Sequence, residues 1–250
     1  MTKLSVNVNK IATLRNTREN GIPDVARLSA IALAAGAHGI TVHPRPDQRH
    51  IRSDDVPVLA AVVARVPGAE YNIEGNPFHG LVEHCERTRP TQATLVPDAR
   101  EAFTSNHGWN LTELGSEELA ALEGTIRRLR DFGCRVSLFV DPVPELMPLA
   151  KKLGTDRVEL YTEPYGAAFA EGRPGPIVAR YAAAAAAAHA HGLGVNAGHD
   201  LNLDNLGPFL AAVRPVDEVS IGHALIADAL EFGFAETVRR YRAICERSTG

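Results

Sequence analysis

Short apolar runs rich in β-branched residues alternate with segments of helical spacing along nearly the whole chain. Eight such runs recur at intervals of roughly 30 residues. They are Leu4–Val8, Gly39–His43, Tyr71–Glu74, Ala93–Val96, Arg135–Val140, Arg157–Thr162, Gly194–Gly198 and Glu218–Gly222. Strands that alternate with helices form parallel sheets, and eight strand–helix units are the number found in a closed barrel. The pattern therefore predicts an α/β protein with the (β/α)₈ TIM-barrel fold.

A doubly wound sheet with helices on both faces is the main alternative architecture. No run is followed by a GxGxxG turn, and no strong linker divides the 250 residues. The barrel is therefore favoured, and residues 1–250 are interpreted as a single domain. The segments Asn106–Gly115 and Glu171–Pro176 are then loops within that domain.

Charge and cysteine content restrict the partners and the compartment. The chain has 26 Lys and Arg against 30 Asp and Glu, a net charge of −4, and such a balance disfavours nucleic-acid or membrane-surface binding. No apolar run reaches the roughly 18 residues of a membrane span, and no signal peptide is visible. Three widely spaced cysteines fit a reducing compartment. We expect a cytoplasmic protein with no nucleic-acid or membrane partner.

Polar side chains cluster at the ends of the predicted strands, where the active sites of barrel enzymes lie. They are Asn7, Asn9, Lys10, His43, Arg45, His50, Glu74, Glu159, Glu163, His199 and His223. Each one alone could be a surface residue or part of an ion pair. A carboxyl in an apolar strand must be paired or have a shifted pKa, and acid–base catalysis needs such groups around one pocket. Their coincidence predicts a catalytic site.

Arginines and glycines near the strand ends indicate a phosphorylated ligand. The arginines Arg15, Arg18, Arg45 and Arg49 follow the first two strands, and Gly198 and Gly222 follow the last two. Barrel enzymes often bind phosphate with backbone amides after these last strands and with a helix N-terminus. The alternative is that the glycines serve only as turn residues and that the arginines are solvated.

A metal site has less support. His43, His50, Glu74 and His199 are suitable ligand types, but no HxH or HExxH spacing places two of them on one element. We therefore assign no metal ligand.

Seven longer segments occur in order over nearly the whole chain. They are VNVNKIATLRNTR (Val6–Arg18), GITVHPRPDQRHI (Gly39–Ile51), YNIEG (Tyr71–Gly75), TLVPDAREAFTSNHGW (Thr94–Trp109), RVELYTEPY (Arg157–Tyr165), VNAGHDLNLDNL (Val195–Leu206) and VSIGHALI (Val219–Ile226). Together they resemble the pyridoxine 5′-phosphate synthase family. The resemblance implies a barrel with extra helices, a homo-octamer, and no metal or organic cofactor. It also implies condensation of 3-amino-2-oxopropyl phosphate with 1-deoxy-D-xylulose 5-phosphate to pyridoxine 5′-phosphate, phosphate and water.

The resemblance further implies a role for individual residues of the matching motifs. His43 and Glu74 would be general bases, and His199 would be the general acid. Glu159 would stabilise charge in the transition state. The amino-ketone phosphate would be held by Asn7, Arg18, Asp200, Gly222 and His223. The pentulose phosphate would be held by Asn9, Lys10, Arg45, His50 and Thr104.

Two places depart from the commonest pattern of that family. The chain has Asn9-Lys10 where the pattern has Asp-His, so a positive charge is gained and the proton-transfer capacity of the histidine is absent. It has Asp200 where the pattern has Gly after the acid histidine. An aspartate near a phosphate would repel it unless its side chain points away.

Three other functions stay open at this point. The first is another phosphate-sugar isomerase or aldolase, for which Lys10 is the sole strand-end lysine able to form a Schiff base. The second is an inactive barrel that binds phosphorylated metabolites, which the retained His43, Glu74 and His199 disfavour. The third is a metal-dependent hydrolase, which predicts activity that chelators abolish.

Overall fold

Eight parallel strands form a closed barrel in the order of the sequence. The computed structural model describes residues 1–98 and 105–247. The strands are β1 (Lys3–Asn7), β2 (Gly39–Val42), β3 (Glu70–Gly75), β4 (Gln92–Leu95), β5 (Arg135–Val140), β6 (Arg157–Leu160), β7 (Gly194–Ala197) and β8 (Glu218–Ile221). Each strand pairs with the next, and β8 closes the barrel against β1. The predicted TIM barrel is confirmed, and the doubly wound alternative is wrong.

Eleven helices surround the barrel in the described part of the chain. They are α1 (Asn9–Asn16), α2 (Val25–Ala34), α3 (Asp55–Val63), α4 (Leu81–Thr88), α5 (Ser116–Asp131), α6 (Leu146–Lys152), α7 (Glu163–Ala170), α8 (Gly175–Ala190), α9 (Leu206–Ala212), α10 (His223–Phe232) and α11 (Phe234–Arg247). Pairs of helices follow β1, β6 and β8, so the barrel has extra helices at three places. No helix described here is long and apolar enough to cross a membrane.

The apolar core lies between the outer face of the sheet and the helices. In α5, Leu122, Ile126 and Leu129 lie in this core with at most 1 % exposure. Each buried side chain of this kind contributes about 1.5–3 kcal/mol relative to an exposed one. This packing fixes the helices around the strands and leaves the strand ends free to form a site.

The inside of the barrel is polar, whereas barrels are usually filled by Val, Ile and Leu. Near the amino ends of the strands, the buried carboxylate of Glu218 accepts from Arg157 Nη1 at 3.2 Å and from Arg135 Nη2 at 3.4 Å. One level higher, the hydroxyls of Ser5 and Thr41 are hydrogen-bonded at 2.7 Å. These contacts satisfy polar groups that would otherwise be costly to bury.

The Glu218 ion pairs should be important for stability. We expect Arg157→Ala to lower the free energy of unfolding by about 2–4 kcal/mol, because it leaves the buried carboxylate with two longer contacts, from Arg135 Nη2 and Gln92 Nε2 at 3.4 Å each. The measurement is urea unfolding at pH 7. The control is Arg127→Ala, which removes an exposed ion pair on α5 and should change stability by less than about 1 kcal/mol. Equal effects of the two variants would contradict the prediction.

Candidate active site

A cavity of about 510 Å³ opens at the carboxyl ends of the strands. Twelve of the predicted site residues line it: Asn7, Asn9, Lys10, His43, Arg45, His50, Glu74, Glu159, His199, Asp200, Gly222 and His223. Arg18 is exposed beyond the end of α1 and is not among the lining residues, so its role stays a prediction. Thr104 lies outside the described residues.

The topology explains this convergence. Asn7 ends β1, Glu74 lies near the end of β3, and Glu159 lies in β6. Parallel strands of a barrel bring their carboxyl ends to one rim. Residues that are more than 150 positions apart in sequence therefore share one cavity.

Two asparagines connect the start of α1 to the neighbouring strands. Asn7 Oδ1 accepts from the backbone N–H of Asn9 at 3.0 Å, and Asn9 Oδ1 accepts from the backbone N–H of His43 at 2.9 Å. Asn7 Nδ2 also approaches Glu74 Oε2 at 3.4 Å. The amide oxygen of Asn9 thus holds the end of β2 in place and leaves its amino group for a ligand.

His43 and His50 lie close together, with ring centroids 6.1 Å apart. Burial, together with the positive charge of Arg45, lowers the pKa of His43 to about 3. Burial and the neighbouring His43 likewise lower the pKa of His50 to about 3. Both rings are therefore neutral at pH 7. His50 Nδ1 accepts from the backbone N–H of Ile51 at 2.9 Å, so Nε2 of the neutral His50 ring carries a proton and can donate it in a hydrogen bond.

Two carboxyl groups of the cavity favour the protonated form. Burial and the charges of Asp98 and Glu218 raise the pKa of Glu74 to about 8. Burial and the nearby Glu74 hold the pKa of Glu159 well above its ordinary value. Glu159 Oε2 is buried and has no hydrogen-bond partner among the described residues. A carboxyl with a pKa near 8 can both give and take protons near neutral pH.

Arg45 is held by an acidic residue that the sequence analysis missed. Its Nη1 lies 2.7 Å from Asp98 Oδ2, and both side chains are 5 % exposed. Ser105 Oγ donates to the same carboxylate oxygen at 2.8 Å. Asp98 follows β4 by three residues, so the strand-end rule, applied to this strand as well, could have found it.

An aromatic wall, defined here as Phe139 and Tyr161, lies next to His199, and its Phe139 lines the cavity. The two rings are 5.7 Å apart, and Tyr161 meets the His199 ring edge to face at 5.5 Å. Thr162 Oγ1 donates to the backbone carbonyl of His199 at 2.6 Å. The wall gives an apolar surface on which a planar ring can rest. Its signal in the sequence is weak, since aromatic residues in strands are common.

Arg15 was a candidate phosphate ligand, but the structure gives its guanidinium another partner. It is buried and bonds both carboxylate oxygens of Asp55, at 2.5 and 2.9 Å. Its Nη2 also donates to the backbone carbonyl of His50 at 3.1 Å, and Asn16 Nδ2 donates to the same carbonyl at 2.8 Å. Arg15 therefore fixes the loop that carries His50, and it does not line the cavity.

The helix α10 begins at the cavity. Gly222, His223 and Ala224 all line it, so the partial positive charge of the helix N-terminus and its unpaired first N–H groups face the cavity. A Cβ on Gly222 would lie 3.2 Å from side-chain atoms of Asn7. The missing side chain lets β8 and β1 approach each other and keeps this end of the helix open to an anion.

A metal site is not evident in the described residues. No group of three or more His, Cys, Asp and Glu side chains there is arranged to hold an ion.

Comparison with known proteins adds an independent observation. A family model described as pyridoxal phosphate biosynthesis protein PdxJ matches residues 4–247. The pyridoxine 5′-phosphate synthase of Albidiferax ferrireducens is 54 % identical over 245 residues, covering 96 % of this chain and 96 % of its own length. The enzyme of the same name from Xylella fastidiosa (strain 9a5c) is 51 % identical over 252 residues, covering 98 % and 95 % of the two chains.

Solved structures of lower similarity share the fold. Tryptophan synthase from Mycobacterium tuberculosis superposes with a TM-score of 0.65 at 10 % identity, covering 98 % of this chain and 92 % of the other. At this identity the likeness concerns the barrel alone.

Proposed function

Because the chain belongs to the PdxJ family of vitamin B6 biosynthesis enzymes, we propose that it condenses 3-amino-2-oxopropyl phosphate with 1-deoxy-D-xylulose 5-phosphate. The products are pyridoxine 5′-phosphate, inorganic phosphate and water. The observation that carries the proposal is the rim cavity itself. It combines neutral histidines, protonated carboxyls and an open helix N-terminus. Two anionic substrates and repeated enolisation and dehydration need this combination.

The phosphate of the amino ketone is assigned to the start of α10. Backbone amides of Gly222 and His223 supply donors there, and Asn7 lies beside them. The family resemblance assigns Arg18, which is exposed beyond the end of α1, to the same subsite. Asp200 contributes its backbone amide, because its carboxylate is bonded to His199 and so is not available to face the anion.

The pentulose phosphate is assigned to the opposite group of residues, Asn9, Lys10, Arg45, His50 and Thr104. Lys10 and Arg45 supply positive charge to the cavity. The charge of Lys10 also contributes to the lowered pKa of His50. The lysine thus replaces the proton-transfer capacity of the usual histidine with electrostatic attraction for the phosphate.

The proposed reaction starts when the amine attacks the pentulose ketone and water leaves, which gives a Schiff base. Glu74 and His43 then remove protons during enolisation, dehydration and loss of phosphate. His43 is neutral and can accept a proton, and Glu74, with a pKa of about 8, cycles between its two forms. His199 protonates the departing oxygen. Glu159, which favours its protonated form, donates a hydrogen bond to developing negative charge.

The test is an assay of the purified protein with both substrates after treatment with a chelator. Product absorbance and free phosphate are followed together. The proposal predicts pyridoxine 5′-phosphate with one phosphate per turnover and no effect of the chelator. Binding of both substrates without product would contradict it and would favour a regulatory barrel. Activity that the chelator abolishes would favour a metal-dependent enzyme.

The two phosphate subsites should respond separately to mutation. Arg45→Ala should raise the KM for the pentulose phosphate at least about tenfold, with a smaller change for the amino ketone, because a charge-assisted contact is lost on one side only. Arg45→Lys keeps a charge opposite Asp98 and controls for loss of the buried ion pair. Steady-state kinetics with each substrate varied in turn is the measurement. Equal increases of both KM values would reject the assignment.

The proposal includes the assembly and compartment of the family. We infer a homo-octamer of chains in which residues 1–250 form a single domain, acting in the cytoplasm without a cofactor. Leu230 on α10 and Leu14 on α1 are 83 % and 54 % exposed, which suits contact surfaces between subunits. Light scattering of the purified protein should give eight times the mass of the chain.

A further inference from the structure

Asp200 has a backbone conformation that is unusual for a residue with a side chain. Its φ is 61°, in the left-handed region that Gly prefers and that Asp and Asn tolerate best among the others. Asn205 Nδ2 donates to its carbonyl oxygen at 3.0 Å. On the other side, a Cβ on Gly166 would lie 3.1 Å from that oxygen and 3.2 Å from the Asp200 Cβ. The surroundings thus hold this conformation from two sides.

The conformation directs the carboxylate to the neighbouring histidine. Asp200 Oδ2 lies 3.2 Å from His199 Nδ1. The hydrogen bond to His199 holds the pKa of Asp200 below its ordinary value, so the carboxyl is ionised at pH 7 and can only accept. His199 Nδ1 must therefore carry the proton of this bond. In the neutral ring, Nε2 is then the nitrogen without a proton.

Other contacts restrict the same ring. Tyr161 packs against it edge to face, and Thr162 Oγ1 holds the backbone carbonyl of His199. Together with Asp200, these neighbours restrict the position of the imidazole.

We propose that Asp200 is a positioning residue for His199: its carboxylate fixes the Nδ1–H tautomer and the ring orientation, so that Nε2 is the nitrogen that takes up a proton and then delivers it to the departing oxygen. The inference rests on the proposed acid role of His199. It also explains how an aspartate can lie beside a phosphate subsite. The negative side chain of Asp200 is bonded to His199, and only the Asp200 backbone amide binds the anion.

The kinetic test uses two variants that tolerate a positive φ. Asp200→Gly removes the carboxylate, and Asp200→Asn keeps its shape and an acceptor oxygen without the charge. We expect kcat to fall about 10- to 100-fold in Asp200→Gly and less in Asp200→Asn, with both KM values within about threefold of the parent. Asp204→Asn, an exposed residue of the same loop, is the matched control and should leave kcat unchanged. An unchanged kcat in Asp200→Gly, or a changed KM for the amino ketone with kcat intact, would overturn the proposal.

A second readout needs no turnover. In protein labelled with ¹⁵N at its histidines and held at a pH where the imidazoles are neutral, the His199 signals are identified by their loss in His199→Asn. We expect the Nδ1–H pattern in the parent and a shift toward the Nε2–H pattern in Asp200→Gly. An unchanged pattern would overturn the positioning role even in an active synthase. A shifted pattern in a protein that makes no product would instead contradict the proposed function and leave the His199–Asp200 pair standing.

Discussion

Glu74→Gln should lower kcat by about a thousandfold or more while both substrates still bind. Glutamine keeps the shape of the side chain and its contact with Asn7, but it cannot take up a proton. Loss of a positioned acid–base group costs typically 10²–10⁴-fold in rate, and Glu74 acts in more than one proposed proton transfer. Binding is measured by calorimetry and turnover by product absorbance.

The matched control for this variant is Glu163→Gln, the same change at a carboxyl that contacts the Tyr161 hydroxyl and does not line the cavity. It should keep kcat within about threefold. Normal turnover of Glu74→Gln would remove Glu74 from the mechanism.

The raised pKa of Glu74 should also be detectable in the pH dependence of the free energy of unfolding of Glu74→Gln. The pKa is about 8 in the folded chain and ordinarily 4.5, so between these pH values the folded state binds a proton that the unfolded state has released. The free energy of unfolding therefore falls as pH rises through this range. Glutamine lacks this dependence, and we expect the stability of Glu74→Gln relative to the parent to increase from pH 5 to pH 8.5.

Urea unfolding of the two proteins at both pH values is the measurement. The titration of His43 and His50 occurs in both proteins and cancels in the difference. A difference in stability that does not change with pH would contradict the raised pKa.

The fold could be predicted from the sequence because its determinants are local. Each of the eight predicted runs overlaps a strand of the barrel, with ends that differ by at most two residues. The rim was predictable as well, since strand ends of a parallel barrel necessarily meet. The position of His43, Glu74 and His199 at the ends of their strands was enough to predict that they share one cavity.

The partners of the charged residues could not be predicted in this way. Arg15 pairs with Asp55, 40 positions away, and Arg45 pairs with Asp98, 53 positions away. Such pairs depend on how loops from different strand–helix units fold over the rim. The spacing of residues along the sequence does not encode these loop conformations. The sequence pattern of an arginine after a strand is the same whether the side chain holds a loop, as in Arg15, or lines the cavity, as in Arg45.

His199→Asn should reduce kcat by about 10²–10⁴-fold and let a late intermediate accumulate, because the proposed acid that protonates the departing oxygen is lost. Single-turnover mixing followed by rapid quenching and mass spectrometry would detect a bound species heavier than the product. His191→Asn, at the exposed end of α8, is the control and should behave as the parent.

The rate losses caused by substituting His199 and Asp200 should not be additive. If Asp200 acts only through His199, the double variant His199→Asn/Asp200→Gly should be no slower than His199→Asn alone, because residues that act as a unit are strongly non-additive. A further tenfold loss in the double variant would mean that Asp200 contacts the substrate on its own. Unchanged steady-state rates in His199→Asn would remove the acid role itself, and the proton for the departing oxygen would then have to come from Glu159 or Glu74, the two cavity carboxyls that favour the protonated form.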